Sequence, residues 1–143
     1  MKKKLIIVSG YFNPIHKGHI EYFHNAKKFA NKLVVIVNND IQREIKGSRE
    51  FMKEDERVFI VNELTVVDKV FLSIDNDSSV IKSISKIYDD YNEKYTILFG
   101  NGGDQNNDSV PEQSICNKLK IKLIDGLGKK IQSSSWLIKG NEN

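Results

Sequence analysis

Short unbroken apolar runs alternate with longer stretches of helical spacing along this chain. Residues 5–8, 33–37, 70–74, 96–99 and 121–124 are runs rich in Val, Ile, Leu and Phe. Such runs predict strands buried on both faces, because a strand with one face in water alternates polar and apolar residues. Between them, residues 18–30, 54–67, 80–91 and 111–119 carry apolar positions three and four apart, and Pro111 suits a first helical turn. Residues 41–53 have mixed charges, Gly47 and little periodicity, which predicts a mobile loop; a short helix is predicted from about Ser134.

Strands alternating with helices at this spacing predict right-handed βαβ units. The expected fold is α/β: a Rossmann-like, doubly wound parallel sheet of five strands with helices on both faces. Residues 1–143 read as a single domain with no repeat or linker. In such sheets ligands bind beyond the carboxyl ends of the strands, near the point where strand order reverses. The loops after Val8, Val37 and Phe99 are therefore the places to search for chemistry.

Composition narrows the picture. The chain has 143 residues, 29% of them charged, and a net charge of +3, as expected of a packed globular protein. The basic cluster Lys2–Lys4 reads as a solvated entry into the first strand, so no nucleic-acid partner is expected. No apolar run approaches a membrane span, no signal peptide is recognisable, and the lone Cys116 fits a reducing compartment. The expected location is the cytoplasm, with no membrane partner.

The first loop reads Ser9-Gly10-Tyr11-Phe12-Asn13-Pro14-Ile15-His16-Lys17-Gly18-His19. Gly10 permits a sharp turn with backbone close to a ligand. His16 and His19 stand three apart at a helix start, so both imidazoles face an anion held at that amino terminus, and Gly18 leaves room for phosphate. Imidazole N–H groups would act there as electrostatic clamps on a triphosphate as charge moves toward pyrophosphate. At the other end of the chain Ser133, Ser134 and Ser135, preceded by Lys129 and Lys130, form a second anion site at a predicted helix start. No Gly-x-Gly-x-x-Gly follows the first strand and no P-loop occurs, which sets aside a dehydrogenase and a P-loop kinase.

These two motifs resemble those of the cytidylyltransferase-like nucleotidyltransferases, and the resemblance covers nearly the whole chain. It implies that His16, His19, Lys46 and Ser134 are catalytic. It further implies nucleotide contacts by Gly10, Tyr11, Phe12, Asn13, Gly18, Gly100, Gly102, Asp104, Lys130, Gln132, Ser133 and Ser135. Lys46 matches a family lysine that reaches across to the triphosphate, with Arg43 and Lys53 as competitors. Gly100-Asn101-Gly102-Gly103-Asp104 resembles the family's loop beside the nucleotide, and Arg57, in Glu56-Arg57, resembles a pair with a structural role. The implied reaction moves CMP from CTP to a phosphorylated polyol, sugar or choline, with Mg²⁺ riding on the triphosphate and no metal held by the protein. The resemblance also implies a homodimer.

The chain departs from the family's pattern at Asn13, where cytidylyl members more often have Asp and adenylyl-transferring relatives have Asn. It departs again at Gln105 and at the pair Lys129-Lys130, where relatives carry Arg. An adenylyltransferase using ATP and a non-catalytic nucleotide-binding module of the same fold are the alternative readings. Tyr11, Phe12 and Trp136 are candidates to line the acceptor pocket.

Overall fold

The computed structural model describes residues 2–102 and 111–127. Ten elements follow in order: β1 (Lys3–Gly10), α1 (Lys17–Lys27), β2 (Lys32–Val37), α2 (Asp40–Lys46), α3 (Glu54–Asn62), β3 (Lys69–Leu72), α4 (Ile81–Tyr91), β4 (Tyr95–Gly100), α5 (Gln113–Leu119) and β5 (Lys122–Ile124). The strands form one five-stranded sheet in the order β3-β2-β1-β4-β5. Every pairing is parallel. This is the α/β, doubly wound, Rossmann-like sheet that the alternating pattern predicts.

Burial on both faces explains why the apolar runs are unbroken. From β1, Ile6 and Val8 join Leu33, Val35 and Val37 of β2 in one cluster, which Phe23 and Ala26 of α1 and Val61 of α3 cover. Leu5 and Ile7, with Val34 and Ile36, face the other cluster, against Ile84 and Ile87 of α4 and Cys116 of α5. Chain order reverses between β1 and β4, so the crevice beyond their carboxyl ends is the switch point. The Tyr22 hydroxyl of α1 donates to the Gly100 carbonyl there at 3.1 Å, tying the first helix to β4.

The largest departure from the sequence reading is α2, which occupies the first half of the predicted loop. It starts with a capping box: the Asn39 side chain accepts from Gln42 N–H, and the Gln42 side chain accepts from Asn39 N–H. It ends at Gly47, whose φ of 82° is the left-handed conformation that closes helices without a Cβ clash. The helix escapes a periodicity search because its apolar and polar faces are inverted: Ile41 and Ile45 are exposed, whereas Gln42 and Arg43 are buried. Two smaller differences are that α1 stops at Lys27 and α3 at Asn62, each a few residues short of the predicted end. The predicted helix near Ser134 lies outside the described residues.

Candidate functional site

The loop from β1 delivers two histidines to the start of α1 in an uncommon arrangement. His16 is the N-cap, and its Nδ1 accepts from Gly18 N–H at 3.1 Å. His19, one turn into the helix, accepts from His16 N–H at its own Nδ1, also at 3.1 Å. The pair thus forms a capping box in which imidazoles replace the usual hydroxyl and carboxylate. The rings stack at 3.9 Å between centroids. Because both Nδ1 atoms accept, each neutral ring carries its proton on Nε2, and that Nε2–H is the donor left free for a ligand.

His19 is also kept neutral. Desolvation, followed by the neighbouring His16, lowers its pKa to about 4. Phe12 lies edge-on to His19 at 5.0 Å and to Phe23 at 5.3 Å, and is itself buried. The helix amino terminus and the two imidazoles thus lie together at the turn where the sequence reading expects an anion.

Packing by itself places a demand on the glycines on either side of the crevice. A Cβ on Gly10 would lie 2.7 Å from the Phe12 ring, so the bare backbone makes room for Phe12. A Cβ on Gly100 would meet Leu127 at 2.6 Å, again a demand of packing. Phe12, expected at the nucleotide or in the acceptor pocket, is instead the buried platform beneath His19. At Gly102 a Cβ would make ordinary contact with the Tyr22 ring, at 3.8 Å.

Tyr11 is half-buried, and the Lys46 ammonium at the end of α2 lies 4.3 Å from its ring centroid. This brings Lys46 onto the loop that carries the histidine turn. Lys53 is exposed, whereas Arg43 is buried and donates to the Ser48 carbonyl at 2.7 Å, so neither matches that placement. Asn13 makes three bonds to one segment: its Nδ2 donates to the Arg49 carbonyl at 2.6 Å, and its Oδ1 accepts from Phe51 and Met52 N–H at 2.9 and 3.0 Å. Asp104, Lys130, Gln132, Ser133, Ser134, Ser135 and Trp136 lie outside the described residues.

Several buried groups hold the site, and most of them are invisible in the sequence. Arg57 has no exposed surface and donates to the carbonyls of Met52, Tyr11 and Asn38 at 3.0, 2.8 and 2.6 Å, and to Asp40 at 2.7 Å. It joins the ends of β1 and β2 to the segment before α3, which is the structural role the Glu56-Arg57 pair suggests. Asn39 donates to the carbonyls of Ser73 and Asp75, and Gln42 to those of Asp77 and Ser79. Asp75 in turn accepts from Lys82 and Ser83 N–H at the start of α4. Their partners lie some 35 positions away in the chain, so no local pattern announces them. Glu112, buried beside Val80, accepts its N–H at 2.9 Å, and desolvation with Asp75 and Asp77 nearby raises its pKa.

Among the described residues no group of three or more His, Cys, Asp or Glu is placed to hold a metal ion. The histidine turn is built of N–H donors, a set suited to phosphate oxygens; a divalent ion would sit on the phosphates themselves. No helix among the described residues is long and apolar enough to cross a membrane.

The doubly wound sheet places the paired imidazoles on the loop that follows β1, beside the switch point. The chain matches the cytidylyltransferase-like family over residues 7–125 and belongs to that family of nucleotidyltransferases. It is 31% identical over 138 residues to a FAD synthase of Thermoplasma volcanium, spanning 94% of this chain and 91% of that protein. It is 41% identical over 70 residues to the bifunctional protein HldE of Blochmanniella pennsylvanica, 48% of this chain but only 15% of the longer protein. Among solved structures, a lipopolysaccharide core biosynthesis protein from Thermoplasma volcanium shares the fold, with a TM-score of 0.70 at 23% identity over 86% of this chain and 95% of that one.

Proposed function

We propose that this chain transfers a nucleoside monophosphate from a Mg²⁺-bound nucleoside triphosphate to the phosphate of a small acceptor, releasing pyrophosphate. An acceptor phosphate oxygen attacks the α-phosphorus as the bond to the bridging oxygen breaks, and pyrophosphate carries away the electron pair. The nucleophile is anionic near neutral pH, so no general base is needed, and catalysis consists of positioning and charge stabilisation. Mg²⁺ on the triphosphate would neutralise charge on its oxygens.

The observation that carries this reading is the reciprocal capping of His16 and His19. With each Nδ1 engaged by a backbone N–H, each Nε2–H is the donor a phosphate oxygen would meet at the helix start as it gains charge in the transition state. Lys46, held over Tyr11, supplies the mobile positive charge. Ser134, with Lys130, Gln132, Ser133 and Ser135, is proposed to close over the phosphates, and Gly18, Gly102 and Asp104 to contact the nucleotide.

Two nucleotides fit. CTP follows from the sequence resemblance. ATP is favoured by the likeness along nearly the full length to a protein named FAD synthase, since FAD is AMP joined to the phosphate of FMN. A cytoplasmic homodimer is the expected working form.

Thermal unfolding with Mg²⁺ and ATP or CTP separates the two, because a ligand at a hundred times its dissociation constant adds about 2.7 kcal/mol. Stabilisation by one nucleotide only identifies the donor. His16→Asn keeps a cap acceptor while removing the imidazole, and is expected to slow pyrophosphate release by about 10²-fold or more with a near-native melting point. Unchanged turnover in that variant refutes the role given to His16.

A further inference from the structure

Asn13 lies in the loop that carries the histidine turn, and its carboxamide links that loop to the middle of the 48–53 segment. The segment's ends are held elsewhere: Arg43 binds the Ser48 carbonyl, and Arg57 binds the Met52 carbonyl. Beyond it, Asp40 and Glu54 exchange backbone-to-carboxylate bonds of 2.8 and 3.2 Å. Between those anchors, Asn13 makes three contacts with residues 49, 51 and 52, donating once and accepting twice. A carboxamide does both from one planar group; a carboxylate is acceptor-only and would face the Arg49 carbonyl with its charge. The backbone is thereby fixed while the side chains of Arg49, Phe51 and Lys53 stand in solvent, Phe51 with 62% of its surface exposed.

The position of this segment assigns it a substrate. Gly100, to which Tyr22 is bonded, and Gly102 lie at the carboxyl end of β4, on the β4 side of the histidine turn. Segment 48–53 follows α2 and therefore lies on the β2 side. A nucleotide with its triphosphate on the histidines and its base toward β4 leaves the β2 side to the second substrate. The capping bonds of His16 and His19 are made within residues 16–19 and do not depend on Asn13.

We propose that Asn13 is a positioning residue that latches segment 48–53 to the histidine turn, making that segment the acceptor's wall. This rests on the nucleotidyl-transfer reading above. The Asn at this position then reports how the wall is held, and carries no information about which base is bound.

The test uses the full chain with Asn13→Asp and Asn13→Ala. Backbone amide exchange at Phe51 and Met52, read residue by residue, is expected to quicken about tenfold or more in N13A, with exchange in β1 and β2 unchanged as the folding control. Titration with Mg²⁺-ATP and Mg²⁺-CTP is expected to give dissociation constants within about twofold of the parent for N13D, with their ratio preserved. With FMN and glycerol 3-phosphate as probe acceptors, N13D is expected to raise KM for the acceptor that supports turnover about tenfold, with a smaller change in kcat. Unchanged exchange refutes the latch. A shifted ATP-to-CTP ratio in N13D refutes it too, by placing Asn13 at the base, and an unchanged acceptor KM refutes the assignment of the wall. Absence of transfer to both probes by the parent counts against the proposed function, while the exchange and nucleotide titrations still decide the latch.

Discussion

Arg57→Leu is expected to be among the most damaging single substitutions in the described part of the chain. The guanidinium is fully buried and makes four bonds, three to backbone carbonyls and one to Asp40. Leucine removes every donor and leaves the carbonyls of Met52, Tyr11 and Asn38 without this partner, at about 1–3 kcal/mol each when no water reaches them. Asp40 keeps 28% of its side chain exposed and is rehydrated at little cost. Allowing for relaxation, the loss comes to about 4 kcal/mol, within the range for breaking a buried pair and a large part of a domain's total stability of about 5–15 kcal/mol. Arg57→Lys keeps the charge but cannot span four acceptors with one ammonium, and should lose about half as much. Urea unfolding followed by circular dichroism measures both. A loss below about 1 kcal/mol for R57L, with an unchanged m-value, would refute the view that this residue holds the strand ends together.

Three further outcomes are expected. Because the folded-state pKa of His19 is near 4 against 6.5 unperturbed, the folded protein binds fewer protons between those values; stability therefore falls as pH drops from 6.5 to about 4 and levels off below. The shift corresponds to at most about 3.4 kcal/mol and, discounted for the ring's partial exposure, to about 1–2 kcal/mol, which unfolding of His19→Gln across that range should abolish. Gly10→Ala places a methyl 2.7 Å from the Phe12 ring and is expected to cost about 1–3 kcal/mol, with Phe12→Leu in the same chain restoring part of it in a melting experiment. Cys116, fully buried with its thiol pKa pushed up to about 12 by desolvation and then by Glu112, should react with a thiol reagent only as fast as the chain opens; rapid native labelling would contradict its place in the core.

The sheet was legible because strands buried on both faces leave unbroken apolar runs, and the five runs correspond to the five strands. His16 and His19 were legible because their spacing alone places them at a helix start. What escaped obeys other rules. The exposed Ile41 and Ile45 of α2 carry the apolar signal on the wrong face. Asn39 and Gln42 donate to backbone carbonyls brought to them by the fold, and uncharged donors paired at long range leave no periodic trace. Asn13 was noticed as a departure in type, yet its partners, the backbone of residues 49–52, have no side-chain signature to find. Gly10 was correctly singled out for needing no side chain, but the space belongs to Phe12.

The histidine box gives each ring two opposite faces, an acceptor turned inward to the peptide chain and a donor turned outward. A substitution at position 16 or 19 therefore acts on two ledgers at once, the winding of the first helical turn and the reception of an anion. Few side chains present both faces on one rigid plane. Asparagine comes near, since its oxygen accepts and its nitrogen donates, but with a shorter reach. Loss of ligand binding in an alanine variant would thus mix a frayed helix with a missing donor, whereas asparagine and alanine compared at the same position divide the two.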